Sequence, residues 1–371
     1  VDFFETTPAP LTQWSAKALQ WNDLVERLAA RAQSPLGREY VLALVPTSDV
    51  AWIETQQARN DEMRAFVRAG SFDFRGIFDV SDLLEKARIE GSALEALELL
   101  SITTHAERVE AWRRILLAPP DAVRNGWPSI EAMCAPLMLH DLGELLRSLS
   151  GKIEPDGTLS DDASPELRRI RRALEHQHRA IETSLRRALA KLADDGSTQD
   201  AVITVRGERF VIPVKAEYKR KVGGVIHGSS STGQTVFIEP METIEQNNEM
   251  ARLLDEEQAE IHRILVAMTR SVAQYAQPLQ IGAALLAQLD AHQAVGRFAL
   301  EMNCVQPVFA EADATAFELA DARHPLLEMR LREQGHEIVP LSIALGGGKR
   351  QMIISGPNTG GKTVALKTAG L

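Results

Sequence analysis

Cysteine is nearly absent: 371 residues hold two, Cys134 and Cys304. They lie far apart, without metal-ligand spacing, so neither a disulfide framework nor a zinc site is expected. Both read as buried apolar residues, and the low count fits a reducing compartment. Aromatic side chains make up only 5% of the chain, which suits a helix-rich core of Leu, Ala and Val. No apolar run approaches the length of a membrane span and no leader pattern is visible, so neither secretion nor membrane insertion is expected; the missing initiator Met fits a trimmed sequence. Excess positive charge is also lacking. The net charge is −10, which usually argues against nucleic acid, but the distribution is uneven. From Ser164 to Glu239 there are 14 Lys/Arg and 9 Asp/Glu, a local +5 that leaves −15 on the rest. One basic region on an acidic body is the asymmetry to follow.

What is present begins at the far end. Gly356-Pro357-Asn358-Thr359-Gly360-Gly361-Lys362-Thr363 fits G-x-x-x-x-G-K-S/T. Gln351-Met352-Ile353-Ile354-Ser355 reads as a buried strand before it, and Thr363–Lys367 as the first turns of a helix after it. In such a loop, backbone N–H groups and the helix N-terminus point at phosphate oxygens. Lys362 would neutralise the β/γ-phosphates of ATP, and the Thr363 hydroxyl would sit on Mg²⁺. Only eight residues follow, to Leu371. A P-loop ATPase needs roughly another hundred residues for its sheet and an acidic strand end. The chain is therefore expected to be the front part of a longer protein, to hold at most half of an ATPase site, and to hydrolyse no ATP alone.

Residues 11–150 read as a helical bundle with no catalytic constellation. A helix through Leu19–Ala29 is expected to break at Ser34-Pro35-Leu36-Gly37. Further helices are expected over Arg38–Val45, Asp49–Ala69, Val80–Arg88 and Ala93–Leu117. Gly70–Gly76 reads as a loop, and Pro119-Pro120 with Asn125-Gly126-Trp127-Pro128 as a linker. Residues 165–193 form a long charged helix of roughly 40 Å, and a second runs from about Met241 to Tyr275 with apolar residues alternating by threes and fours. Two such helices around a compact segment predict an antiparallel coiled-coil arm with that segment at its tip; two helices of a globular bundle is the plainer reading, against which the charge on three faces argues. Within 200–239, Ala201–Val205 and Phe210–Val214 form a hairpin pattern around Arg206-Gly207-Glu208-Arg209, and Gln234–Glu239 is a last strand. Between them lie Lys215, Lys219-Arg220-Lys221 and a Gly/Ser-rich run with Ser229-Ser230-Ser231. Lys and Arg beside Gly- and Ser-rich backbone are what phosphate-contacting surfaces use, and a solvated charged loop is the plainer reading of the same residues. An Ala/Leu-rich helix over 279–303 follows, then Pro307 and Asp313 flank a short connection. Phe317–Leu319, Ala322–Leu327, Ile338–Ile343 and the Gly346-Gly347-Gly348 turn lead into the phosphate loop.

Three of these segments, in this order, resemble the MutS family, and within it the bacterial MutS-two subfamily: His227–Pro240 followed by Asn247-Asn248, then Arg323-His324-Pro325, then Gly-Pro-Asn-x-Gly-Gly-Lys-Ser/Thr. The resemblance covers roughly residue 15 to the end. Mismatch-reading members start with a recognition domain carrying Phe-x-Glu. Phe3-Phe4-Glu5 is expected to be a decoy, because lever-like helices begin by about residue 18. The implied fold is mostly α: a helical lever/core over 1–150, a first arm over 151–199, a β-rich clamp tip over 200–240, a second arm and return over 241–305, and the beginning of an α/β P-loop ATPase domain over 306–371. The implied function is an ATP-gated clamp on branched or duplex DNA, suppressing homologous recombination, or on the rRNA of collided ribosomes, splitting them. It implies a cytoplasmic homodimer whose dimer contact lies mostly outside this stretch, and a nuclease in a C-terminal Smr domain. Carried over by residue, Gly356 to Thr363 would hold ATP and Mg²⁺. His336, Ile338 and Val339 are candidates for the adenine side, with a core role for Ile338 and Val339 equally open, and His324 is expected to cap or pack rather than do chemistry. Arg206, Arg209, Lys215, Lys219, Arg220, Lys221 and Ser229–Ser231 are the nucleic-acid candidates. Two other readings stand beside this one: a coiled-coil ATPase of the chromosome-maintenance type, which places its P-loop before the coiled coil, and a non-hydrolysing nucleic-acid or ribosome-binding module with nucleotide as a latch.

Overall fold

The structure, a computed structural model, describes residues 13–123, 126–194, 202–309, 317–346, 351–357 and 361–371. Helices dominate. In chain order they are α1 (Gln13–Leu19), α2 (Trp21–Ala29), α3 (Pro35–Leu42), α4 (Val50–Ala69), α5 (Ser81–Ala87), α6 (Ala96–Leu117), α7 (Pro128–Met138), α8 (Gly143–Leu149), α9 (Pro165–Asp194), α10 (Ile244–Gln274), α11 (Ala276–Glu301), α12 (Pro325–Glu333) and α13 (Lys362–Gly370). The strands are β1 (Thr204–Arg206), β2 (Arg209–Lys215), β3 (Gly224–Ser229), β4 (Thr235–Pro240), β5 (Phe317–Ala322) and β6 (Leu341–Leu345). The chain divides into two compact units, one of residues 1–82, 101–146 and 275–371, the other of 83–100 and 147–274. Among the described residues no helix is long and apolar enough to cross a membrane.

The first unit is organised on α11. Its Asp290 is fully buried and its carboxylate accepts from Gln33 N at 3.0 Å, Ser34 N at 2.7 Å and Ser34 Oγ at 2.7 Å. Ser34 in turn caps α3 by accepting from Gly37 N at 3.0 Å, with Pro35 in the first turn. This corrects the expected break at 34–37: the helix starts there. Proline lacks an N–H where none is needed, and the serine cap supplies the missing acceptor. Gly37 is required by proximity, since a Cβ there would lie 2.3 Å from Asp290 Oδ2. Three residues along α11, Gln293 accepts from Phe72 N and donates to Phe72 O, both at 2.9 Å, so the loop after α4 has its buried backbone satisfied by a side chain.

The scarce aromatics are concentrated in this unit. Phe72, Phe74, Trp112, Trp127 and Phe66 form one cluster with centroid separations of 4.8–5.9 Å. Trp127, in the stretch expected as a linker, is fully buried against Phe66. A large ring outweighs the turn signal of its neighbours, and α7 begins directly after it at Pro128. Cys134 is buried as expected; Cys304, just beyond α11, is exposed.

The second unit pairs α9 with α10. Ser164 Oγ bonds Glu260 at 2.6 Å, Arg171 bonds Glu257 at 2.7 Å, and Gln177 Nε2 donates to Gln246 O at 2.8 Å. The partner number falls as the first rises, so the helices run antiparallel. A four-stranded antiparallel sheet of order β1-β2-β4-β3 lies against them. Ile212 opposite Ile238 and Val214 opposite Val236 point inward onto Ile181, Leu185, Leu189 and Met250. β3 was not foreseen. Its glycines mask the pattern, and Gly228 at φ +134 sits in a bulge that shifts the register against β4.

Two buried histidines make the first unit acid-sensitive. His105 Nε2 donates to Leu279 O at 3.1 Å and His292 Nδ1 donates to Asn60 Oδ1 at 2.7 Å. Burial lowers their pKa values from 6.5 to about 4 and about 3. Between those values the unfolded chain binds protons that the folded chain refuses, so stability is full above 6.5 and is lost as pH falls. Each histidine contributes about 1.4 kcal/mol per pH unit across that window. Denaturant midpoints at pH 7, 6 and 5 are expected to fall steadily, with a shallower slope in His105→Gln; equal midpoints would overturn the assignment.

Candidate functional site

In the first unit, the described residues of the phosphate-loop motif are Gly356-Pro357 and Gly361-Lys362-Thr363; Asn358, Thr359 and Gly360 lie outside the described residues. Gly361 precedes α13 at φ +81, a left-handed conformation that favours glycine, and no side chain among the described residues caps the helix. The first-turn N–H groups of such a helix have no intrahelical partner and carry the positive end of the dipole. Among the described residues nothing lies within 4 Å of where a Cβ at Gly356 or Gly361 would project. The Lys362 ammonium folds back and donates to Gly356 O. These features suit an anion, so the residues present fit a nucleotide's phosphates. Thr363 is exposed and could offer its hydroxyl to Mg²⁺. Among the described residues no group of three or more His, Cys, Asp or Glu is arranged to hold a metal.

The run expected as the preceding strand is not one. Residues 351–355 have no strand partner among the described residues, and Ile353 is 92% exposed. An apolar run becomes a buried strand only where neighbours complete its ladder. Of the adenine-side candidates, His336 is exposed, Ile338 is half-buried and Val339 is 87% exposed, so Val339 has no core role in this structure. They lie in the connection between α12 and β6, which pairs antiparallel with β5. His324 caps α12, its Nδ1 accepting from Leu327 N at 3.3 Å. Burial, then the nearby Lys367 charge, lowers its pKa. Its neighbour Arg323 bonds Glu328 and the Met302 carbonyl, and Arg332 bonds Glu328 and the Glu301 carbonyl at 2.8 Å. Arg64 donates to Cys304 O at 3.0 Å, and Arg31 pairs with the Glu301 carboxylate. Four guanidiniums thus gather at the C-terminus of α11, where carbonyls and the dipole favour positive charge.

In the second unit, the nucleic-acid candidates fall into two groups. Lys219, Arg220 and Lys221 follow a short 3₁₀ turn after β2 and are exposed; Lys221 stands 5.0 Å from the Tyr218 ring centroid. Ser229 and Ser231 are exposed at the β3–β4 turn, while Ser230 Oγ accepts from Thr235 N at 3.1 Å to close that turn. Lys215 ends β2 and is half-buried. Arg206 lies over Phe237 at 4.4 Å. Arg209 is committed internally: it bonds Glu239 at 2.9 Å and Asn248 at 2.7 Å.

Glu239 is the hub that residue-level reading missed. It is 2% exposed and accepts from Arg209, from Asn247 Nδ2 at 2.9 Å, and lies 2.6 Å from His227 Nε2. Asn247 also accepts from Phe210 N at 3.0 Å and donates to Phe210 O at 3.1 Å. The motif residues His227, Glu239, Asn247 and Asn248 thus join sheet to helix. The signal available was a glutamate at the end of an apolar strand, a position that needs partners. Removing one partner of a buried charge costs about 3–5 kcal/mol, less here because Arg209 is partly exposed. Arg209→Ala is therefore expected to lower the melting temperature by several degrees, and Lys219→Ala to leave it unchanged; thermal unfolding of the two variants separates an internal tie from a free surface cation.

No protein-family model matches the chain. It is similar to proteins named endonuclease MutS2: 36% identical over 359 residues to that of Gemmatimonas aurantiaca and 36% over 356 residues to that of Pelotomaculum thermopropionicum. It is 32% identical over 364 residues to that of Clostridioides difficile. These matches cover 95–97% of this chain but 42–44% of the relatives, so the chain spans less than half their length.

Proposed function

The chain belongs to the MutS2 subfamily of the MutS family, and from that premise we propose that it is the lever, clamp and nucleotide-loop part of an ATP-gated clamp on nucleic acid. The observation that carries the proposal is the exposed run Lys219-Arg220-Lys221 on a small sheet borne by two long antiparallel helices. It offers three adjacent cations to a phosphate backbone, beside the hydroxyls of Ser229 and Ser231. Arg209 and Ser230 support this surface from within. Branched or duplex DNA is the proposed ligand, with rRNA of collided ribosomes as the other phosphate-bearing candidate.

At the other end of the chain, Lys362 would exchange its bond to the Gly356 carbonyl for phosphate oxygens, and the N-terminus of α13 would hold them. A bound nucleotide would supply the phosphate charge for these groups and, in the whole protein, a bond to hydrolyse. Thr363 would contribute one oxygen to Mg²⁺. α13 lies against α1: Lys367 Nζ donates to Gln20 Oε1 at 3.2 Å, and a Cβ on Gly370 would lie 2.7 Å from Leu19. A shift of this helix would therefore be felt by the first helices of the same unit. The ATPase, the homodimer, a cytoplasmic location and the nuclease carried in the relatives' name are proposed for the whole protein.

Binding to duplex and branched DNA is measured across a salt series for wild type and for the triple variant Lys219→Glu, Arg220→Glu, Lys221→Glu. Wild-type affinity is expected to fall steeply with salt. The variant should bind all sequences more weakly, with a log–log slope flatter by roughly one unit per lost contact. Equal affinity and slope would make the run a solvated loop. Crosslinking in cells from the same positions, read against rRNA and DNA, decides between the two ligands.

A further inference from the structure

The second unit also holds a cleft of about 570 Å³ that the basic run does not line. Its walls are Leu174 and His178 of α9, Met250 and Leu254 of α10, and Val205 and Phe210 of the β1–β2 hairpin. Glu175, Arg179 and Glu208 stand at its rim. Volume and lining match sites that take a small molecule or a large side chain, about 300–1,000 Å³ with few polar groups.

Three observations bear on what it takes. The cleft is preformed: Asn247, with no exposed surface, holds Phe210 at both its N–H and its C=O, and the Phe210 ring meets His178 edge-on at 5.0 Å. Its walls are open to solvent, with Val205 53% and Leu254 36% exposed above a buried Met250 whose flexible thioether can adapt to a guest. Its mouth carries one uncompensated carboxylate. Arg179 lies 3.2 Å from Glu175 and cancels it, while Glu208 has no ion pair among the described residues. Glu208 sits at φ +63, the second left-handed residue of the tight turn after Gly207 at φ +54. Asn or Gly would adopt that conformation more easily, so a carboxylate is carried there against backbone preference.

We infer that this cleft docks a segment of a partner protein that inserts an aromatic or long aliphatic side chain flanked by lysine or arginine. Apolar walls select the inserted group, and the unpaired Glu208 selects its cationic neighbours. Nucleic acid fits poorly, because a strand entering here would bring a phosphate beside the unpaired Glu208. The inference stands apart from the nucleotide and phosphate-backbone reading.

The test uses the protein with isotope-labelled methionine methyls, the Met250 signal being assigned with Met250→Leu. Capped Lys-Trp-Lys is expected to shift that signal saturably, and to bind at least about threefold more tightly than capped Glu-Trp-Glu. Glu208→Gln should bring the two peptides close to equal affinity. Val205→Arg should abolish binding of both without changing the melting temperature; Leu254→Lys serves if that variant unfolds. Absence of any Met250 shift, equal affinity of the two peptides for wild type, or binding undiminished in both wall variants would overturn the proposal. So would a single-stranded oligonucleotide that shifts Met250 as strongly as Lys-Trp-Lys at the same ionic strength.

Discussion

Both units depend on the same constraint: a backbone N–H or C=O taken out of water must find a partner, and here long helices supply it from their side chains. Gln293 of α11 satisfies both backbone groups of Phe72, and Asn247 of α10 does the same for Phe210. Asp290 serves the N–H groups of Gln33 and Ser34. A carboxamide is suited to this because it donates and accepts at once; a carboxylate is suited to a turn that presents only donors. Hydrophobic burial makes each unit compact, but it is non-directional. These polar clips decide where a loop or hairpin lies on its helix, and so where the residues it carries are presented.

The clip at Phe210 shows how placement becomes function. It fixes the hairpin, and the hairpin fixes Arg209 on Glu239 and one wall of the apolar cleft. Beyond the end of β2 the chain is no longer held this way, and the exposed Lys219-Arg220-Lys221 run follows. Cations near one another in sequence therefore do different work. Arg209 neutralises a buried carboxylate, Arg206 covers an aromatic ring, and the run at 219–221 faces solvent.

The periodic parts of the fold were legible in the sequence because their signals are local. α4 begins after Asp49 and ends at Gly70 as its capping residues dictate, and the two long helices fall where their apolar spacing puts them. What escaped depends on distant residues. Pro35-Leu36-Gly37 reads as a break until Asp290 is seen behind it. Trp127 reads as linker until Phe66 is seen against it. β3 is hidden by its glycines, Gly224 packed close on Glu239 and Gly228 in a bulge, and the apolar run before the phosphate loop has no strand partner among the described residues. At the candidate sites, the phosphate-loop pattern could be named as an expectation because its residues are contiguous. The hub at Glu239 could not be, because its three partners, Arg209, His227 and Asn247, come from β2, β3 and α10.

The clip between Asp290 and Ser34 joins residues 256 apart in sequence. Synthesis on the ribosome proceeds at roughly 5–20 residues per second, so α3 waits on the order of 10–50 s for the helix that holds its turn. Through that interval the first helices of the unit lack the partner that buries their apolar faces, while the α9–α10 pair and its sheet, made from one nearly continuous stretch, can close as soon as they emerge. The nascent chain thus carries a completed insertion inside an unfinished host, and the host's early helices are the surface that a chaperone or a wrong neighbour would meet first.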